Sequence, residues 1–76
     1  MSYKERIESN YEVMLGKPVI KGTRITVELI LKKLAGGFTV DEILSSYDQI
    51  TKEDIYAAIE YAAYVVSEEE TVEPVK

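Results

Sequence analysis

The chain has no cysteine, no histidine, and only two prolines and four glycines among its 76 residues. Without cysteine no disulfide can staple the fold, which fits a reducing compartment. Without cysteine and histidine the usual zinc ligand sets are gone, and with them the commonest nucleophiles and general bases. Ser45 and Ser46 have no base beside them, and Glu68, Glu69 and Glu70 are neighbours that a helix would point in different directions. The glycines form neither a phosphate loop nor a dinucleotide fingerprint. The expectation is therefore a non-enzyme with no catalytic residue, no metal and no cofactor. Long apolar runs are absent too. Nothing approaches the ~18 residues of a membrane span, and the first ten residues, MSYKERIESN, lack the apolar core of a signal segment. A cytoplasmic protein without membrane contact is expected.

What the chain does have is a last helix with too much apolar surface. Residues 51–66 read TKEDIYAAIEYAAYVV, and Ile55, Ala58, Ile59, Ala62 and Val66 follow the spacing of a buried helical stripe. Tyr56, Ala57, Tyr61, Ala63, Tyr64 and Val65 fill most of the remaining circumference, leaving Glu60 as the only charge between Ile55 and Val66. A helix apolar nearly all round must be buried nearly all round. Chains of this size bury only about 60–65% of their unfolded surface, so a second subunit is expected to complete the burial. Tyr56, Tyr61, Tyr64 and Val65 are the candidate anchors of that homodimer, since tyrosine offers a large ring with a polar tip. Base stacking by the same rings is the alternative.

Three helix starts are marked by threonine. Thr26 precedes residues 27–35, with Ile25 and Ile30 placed as a hydrophobic staple. Thr39 precedes residues 40–47, with Glu42 completing a capping box and Phe38 and Ile43 as staple. Thr51 repeats the pattern with Asp54, Ile50 and Ile55. Gly36 and Gly37 end the first helix through a left-handed cap. Only residues 48–51 separate the second and third helices, the short turn of a helix-turn-helix pair.

Ahead of the helices, residues 13–27 (VMLGKPVIKGTRITV) read as strand, turn and strand, with short β-branched runs at 13–15, 19–20 and 23–25. Gly22 suits a turn position of positive φ, and Pro18 confines its strand to an edge. So short a hairpin must lie on the helices or pair with another chain, which makes Val19 and Ile20 further candidates for the dimer interface. Residues 1–12 are polar and read as an arm. Residues 13–66 form the folded domain, and residues 67–76 an acidic, disordered tail. The fold class is mainly α: a three-helix, helix-turn-helix bundle with a short N-terminal β-hairpin.

The net charge of −5 conceals a division. Residues 1–33 carry seven bases against four acids, and residues 34–76 carry two bases against ten acids. Two faces for two partners is one reading; ordinary solvated surface is the other. In a helix-turn-helix the second helix of the pair presents its N-terminus to DNA. Here that end offers Thr51 and Lys52, followed by Glu53 and Asp54, a poor set for reading bases. The better-charged candidates for DNA contact are Lys17, Lys21 and Arg24 in the hairpin and Lys32 and Lys33 in the first helix.

The run Gly16-Lys17-Pro18-Val19-Ile20-Lys21-Gly22-Thr23-Arg24-Ile25, followed by Val27, Gly36, Gly37 and Tyr47, resembles the bacterial and archaeal domain-of-unknown-function family 433. That family is described as antitoxin-like and related to the VapB-type antitoxins. The similarity runs from about Arg6 to Ala62; the chain departs from the family pattern at Tyr11 and Asp48, where proline is usual. The resemblance implies a homeodomain-like trihelical fold, a homodimer, a PIN-like toxin nuclease as partner, and operator DNA as a second target. It also implies roles for the signature residues: turns for the glycines, and for Arg24 either an ion pair with a carboxylate such as Glu28 or contact with a partner. The alternative function is an acidic dimer that masks a basic protein without touching DNA.

Overall fold

Thr26, Thr39 and Thr51 each stand one residue ahead of a helix, and all three hydroxyls accept a backbone N–H three residues on. In the computed structural model, which describes residues 3–69, these caps start α1 (Val27–Ala35), α2 (Val40–Ser46) and α3 (Lys52–Glu69). At α2 the box is reciprocal: the Thr39 N–H donates to Glu42 Oε1 at 2.8 Å. At α3 the Thr51 N–H donates to Asp54 Oδ2 at 2.9 Å in the same way. Each such cap contributes about 1 kcal/mol to its helix. α1 closes through Gly37 at φ +100°, with the Phe38 N–H reaching back to the Lys33 carbonyl and the Gly37 N–H to that of Leu34. That pair of bonds satisfies carbonyls the helix end leaves open. α3 runs one turn beyond Val66, to Glu69.

The sheet differs from expectation. β1 (Ile7–Glu8) comes from the segment read as an arm and pairs antiparallel with β2 (Val19–Ile20), Ile7 opposite Ile20 and Glu8 opposite Val19. The β-branched run at 13–15 is no strand, because Met14 and Leu15 sit in the left-handed region at φ 52° and 55°, followed by Gly16 at 85°. The stretch at 23–25 contributes no named strand; the Ile20 N–H donates to the Ile25 carbonyl, and Val19 forms a single bridge with Thr26. Ile7, the one aliphatic side chain of the supposed arm, is buried, and its burial draws β1 onto the body. Residues 3–12 are thus part of the fold. The last turn of α3 overlaps the segment assigned to the tail, and residues 70–76 lie outside the described structure.

Ile30 of α1, Ile43 of α2 and Ile55 of α3 meet fully buried at the centre, with Ile20, Ile25, Val27 and Ile50 around them. On α3 the buried face is Asp54, Ile55, Ala57 and Ala58. Ile59 and Val66, expected in the buried stripe, are 41% and 56% exposed. The stripe is rotated toward Ala57 because α1, β1 and the 3-10 turn at Tyr3–Glu5 all pack on α3 from that side. Val19 and Ile20 are also buried inside the protomer and present no surface to a second copy. The sequence reading of these two as interface residues is corrected to core.

Gly22 is at φ +83° with open space where a Cβ would stand, so any cost of a side chain there comes from the backbone alone. Gly22→Val is expected to destabilise the fold by about 1 kcal/mol or more and to lower Tm by about 4–8 °C. An unchanged thermal melt would contradict the left-handed turn.

Candidate nucleic-acid and protein interfaces

The basic residues sort into those already engaged and those left available. Arg6 Nη1 donates to Asp54 Oδ1 at 3.1 Å, and the Asp54 side chain is only 11% exposed. Lys17 Nζ and Lys32 Nζ each lie 3.1 Å from a different oxygen of Glu28. Lys33 Nζ stands 4.7 Å from the centroid of the Phe38 ring, a cation–π contact. By contrast the side chains of Lys21, Arg24 and Lys52 are exposed and make no hydrogen bond or ion pair among the described residues. Of the two roles implied for Arg24, one was an ion pair with a carboxylate such as Glu28. That carboxylate is taken by Lys17 and Lys32 instead, and Arg24 is left to solvent.

Local folding explains why Lys21 and Arg24 are displayed together. Lys21, Gly22, Thr23 and Arg24 form a tight turn after β2. The Thr23 hydroxyl donates to the Ile20 carbonyl at 2.8 Å and accepts from the Ile25 N–H at 3.0 Å. The Lys21 N–H donates to the Arg6 carbonyl, fastening the turn to β1. Of the signature run, Gly22 and Thr23 therefore serve the turn, and Lys21 and Arg24 are simply displayed by it. A cleft of about 440 Å³ is lined by Gly22, Thr23 and Arg24 on one side and Gln49 on the other, together with Glu8 and Val13. Gln49 belongs to the turn between α2 and α3, and Lys52 follows three residues later at the first position of α3. The hairpin turn and the helix-turn-helix turn are thus neighbours. Sequence reasoning found Lys21, Arg24 and Lys52 but not Gln49 or Glu8, since no local pattern joins positions so distant along the chain.

At the start of α3 the Thr51 hydroxyl is committed to the cap, and Asp54 is turned inward to Arg6. The acid that seemed badly placed for a polyanion is thereby removed from the surface, leaving Lys52 and Glu53 exposed there.

The distal half of α3 is different. Between it and α1 runs an open groove of about 490 Å³ lined by Leu31, Ala35, Tyr61, Ala62, Val65 and Val66, with Pro18 and Val27 at its inner end and Glu28 and Lys32 on the rim. Of the tyrosines, Tyr61 and Tyr64 lie around Tyr3, with ring centroids 5.3 and 5.7 Å away. Part of their surface is thus covered by the chain's own N-terminal turn. Partial desolvation there, together with Tyr64 and Tyr61, raises the Tyr3 phenol above its usual pKa. Tyr56 stands half exposed, away from Tyr3.

Among the described residues no group of histidine, cysteine, aspartate or glutamate could hold a metal ion, and no helix is long and apolar enough to cross a membrane. The profile of the family described as "Protein of unknown function (DUF433)" matches residues 7–62. The chain belongs to the DUF433 family. No curated protein and no solved structure matches the chain. The family match takes in β1, the signature turn, α1, α2 and the buried half of α3, and it ends at Ala62, just where the groove face of α3 becomes most exposed.

The two lysine hydrogen bonds hold the Glu28 carboxyl below the ordinary glutamate range, that to Lys17 contributing most and that to Lys32 next. Because the folded value is lowered, the tie is present above the ordinary glutamate pKa and is lost as the pH falls through the folded value. In a carboxylate NMR titration Glu28 should therefore titrate low, and Lys17→Gln should move its midpoint upward. A midpoint indifferent to Lys17 would show that the pair does not form.

Proposed function

We propose that this protein is an antitoxin-type adaptor. As a homodimer it binds operator DNA through the end that carries Lys21, Arg24 and Lys52, and it neutralises a PIN-like nuclease through protein contact. The observation that carries the DNA half is the cleft that sets Arg24 opposite Gln49 of the turn between α2 and α3, with Lys21 in the same hairpin turn and Lys52 three residues after Gln49, all three cations unengaged. Exposed bases at the N-terminal end of a helix that follows a short turn suit phosphate contact, which positions a protein on the duplex. The exposed N–H groups of the first turn of α3 add to the same potential. Resemblance to the antitoxin-like family supplies the nuclease partner. Base reading is not the strength of this surface, because Thr51 is occupied by its cap and Glu53 stands beside Lys52.

A second reading, a protein-binding module that leaves DNA alone, is favoured by the apolar groove between α1 and α3 and by the acidic balance of the chain.

A gel-shift titration with the protein's own promoter DNA separates the two. The triple variant Lys21→Gln, Arg24→Gln, Lys52→Gln is expected to lose the shift and to flatten the log–log salt dependence by about 2–3. Lys17→Gln with Lys32→Gln, both tied to Glu28 and outside the cleft, should weaken it less. Glu8→Gln, which removes the acid from the cleft, should strengthen it. No sequence-dependent shift at moderate salt, with or without the nuclease, leaves only the protein-binding module.

A further inference from the structure

Beyond Ile59, α3 presents a ridge with a depression on each side. The ridge is Ala62 and Val66, one helical turn apart. On one flank lies the groove against α1, and on the other a shallower hollow bounded by Ile59, Ala63 and Ser67; both are bordered by Ala62 and Val66. Ala62 on the crest is small, so another helix can approach to the 8–10 Å of ordinary helix packing. A surface that is ridge and hollow together is complementary to itself, which is what a two-fold interface requires.

The charges narrow the occupant further. Along α3 after Lys52 there is no base, and Glu60 and Glu68 are exposed. The groove's rim carries Lys32, whose side chain is 74% exposed although it touches Glu28. Lys17 and Lys32 together outnumber Glu28 at this edge, so a helix entering the groove meets one net positive charge, which suits an acidic helix. The distal half of α3 is itself such a helix: acidic on its flanks, apolar on its crest, and small where two backbones must pass.

We propose that the occupant of this groove is α3 of a second copy of the chain, with the Ala62 and Val66 ridge of each protomer seated beside α1 of the other. This gives the homodimer of the proposed function its surface, and it stands whether or not DNA is bound. In an antiparallel arrangement crossing near Tyr64, the two Lys52 positions lie up to about 36 Å apart at 1.5 Å per residue, close to one turn of duplex DNA.

The test is sedimentation equilibrium on the full chain across the micromolar range, with gel shift as an independent readout. The parent protein is expected to dimerise. Ala62→Glu and Val66→Glu should each weaken self-association by about tenfold or more, with helical circular dichroism retained. Val66 is more than half exposed, so its variant keeps the experiment decisive if Ala62→Glu fails to fold. Ser45→Glu, exposed on α2 and away from both depressions, should leave the dimer intact. A parent protein that stays monomeric throughout overturns the proposal, as does a dimer untouched by both ridge variants. So does a groove that fills only when the co-expressed nuclease is added. A dimer that fails to shift DNA removes the operator reading and leaves this surface standing.

Discussion

The carboxylate of Asp54 joins three parts of the molecule. One oxygen accepts the Thr51 N–H and so starts α3; the other accepts Arg6 and so anchors the N-terminal strand. From Arg6 the connection continues through its carbonyl, which receives the Lys21 N–H and pins the turn that displays Lys21 and Arg24. Desolvating a carboxylate is costly unless it is paired and hydrogen-bonded, and Asp54 meets both conditions. Arg6 remains about one-third exposed, so the ion pair is a modest stabiliser in itself. Its larger effect is positional: losing Arg6 leaves a mostly buried charge without its cation. Through these few bonds the hairpin turn is held beside the turn between α2 and α3.

That placement gives α3 two different ends. Its first turn is polar, capped and carries the unengaged Lys52, while its last three turns are apolar and flanked by acids. The two ends are separated by the buried segment around Ile55, Ala57 and Ala58, where alanines let α3 lie close against its neighbours. A small chain can carry two surfaces of opposite character because one helix, 18 residues and about 27 Å long, spans from one to the other. Lys17 and Lys32 share Glu28, and Lys33 covers Phe38. Fewer bases are available to a partner than the count in the sequence suggests.

The three caps were legible because a cap is a local device: Thr39 and Glu42, or Thr51 and Asp54, lie within a single turn and find each other in any helix that starts there. The left-handed turn at Gly22 was legible for the same reason. What escaped was non-local. Nothing near Ile7 announces that it pairs with Ile20 across a long loop, and the β-branched run at 13–15 looked like a strand until Met14 and Leu15 proved left-handed. The inward face of α3 escaped too. On a helix apolar almost all round, Ile59 and Ala57 are equally good core residues by spacing, and the choice was made by where Tyr3, Ile7 and α1 happen to pack. The inward turn of Asp54 likewise depended on Arg6, 48 positions away. For the candidate site, residue types were visible in the sequence, and what sorted them was which cations the fold had already used.

Residue-resolved amide hydrogen exchange on Arg6→Gln beside the parent protein bears most directly on Asp54 as the joint of the fold. Exchange should accelerate at Lys21 and at Thr51 and Asp54 together, while Leu29, held by the Thr26 cap at the far side of the link, keeps its protection. If Lys21 keeps the protection it has in the parent, or if protection falls equally throughout the chain, the hairpin and the start of α3 are not coupled through Asp54.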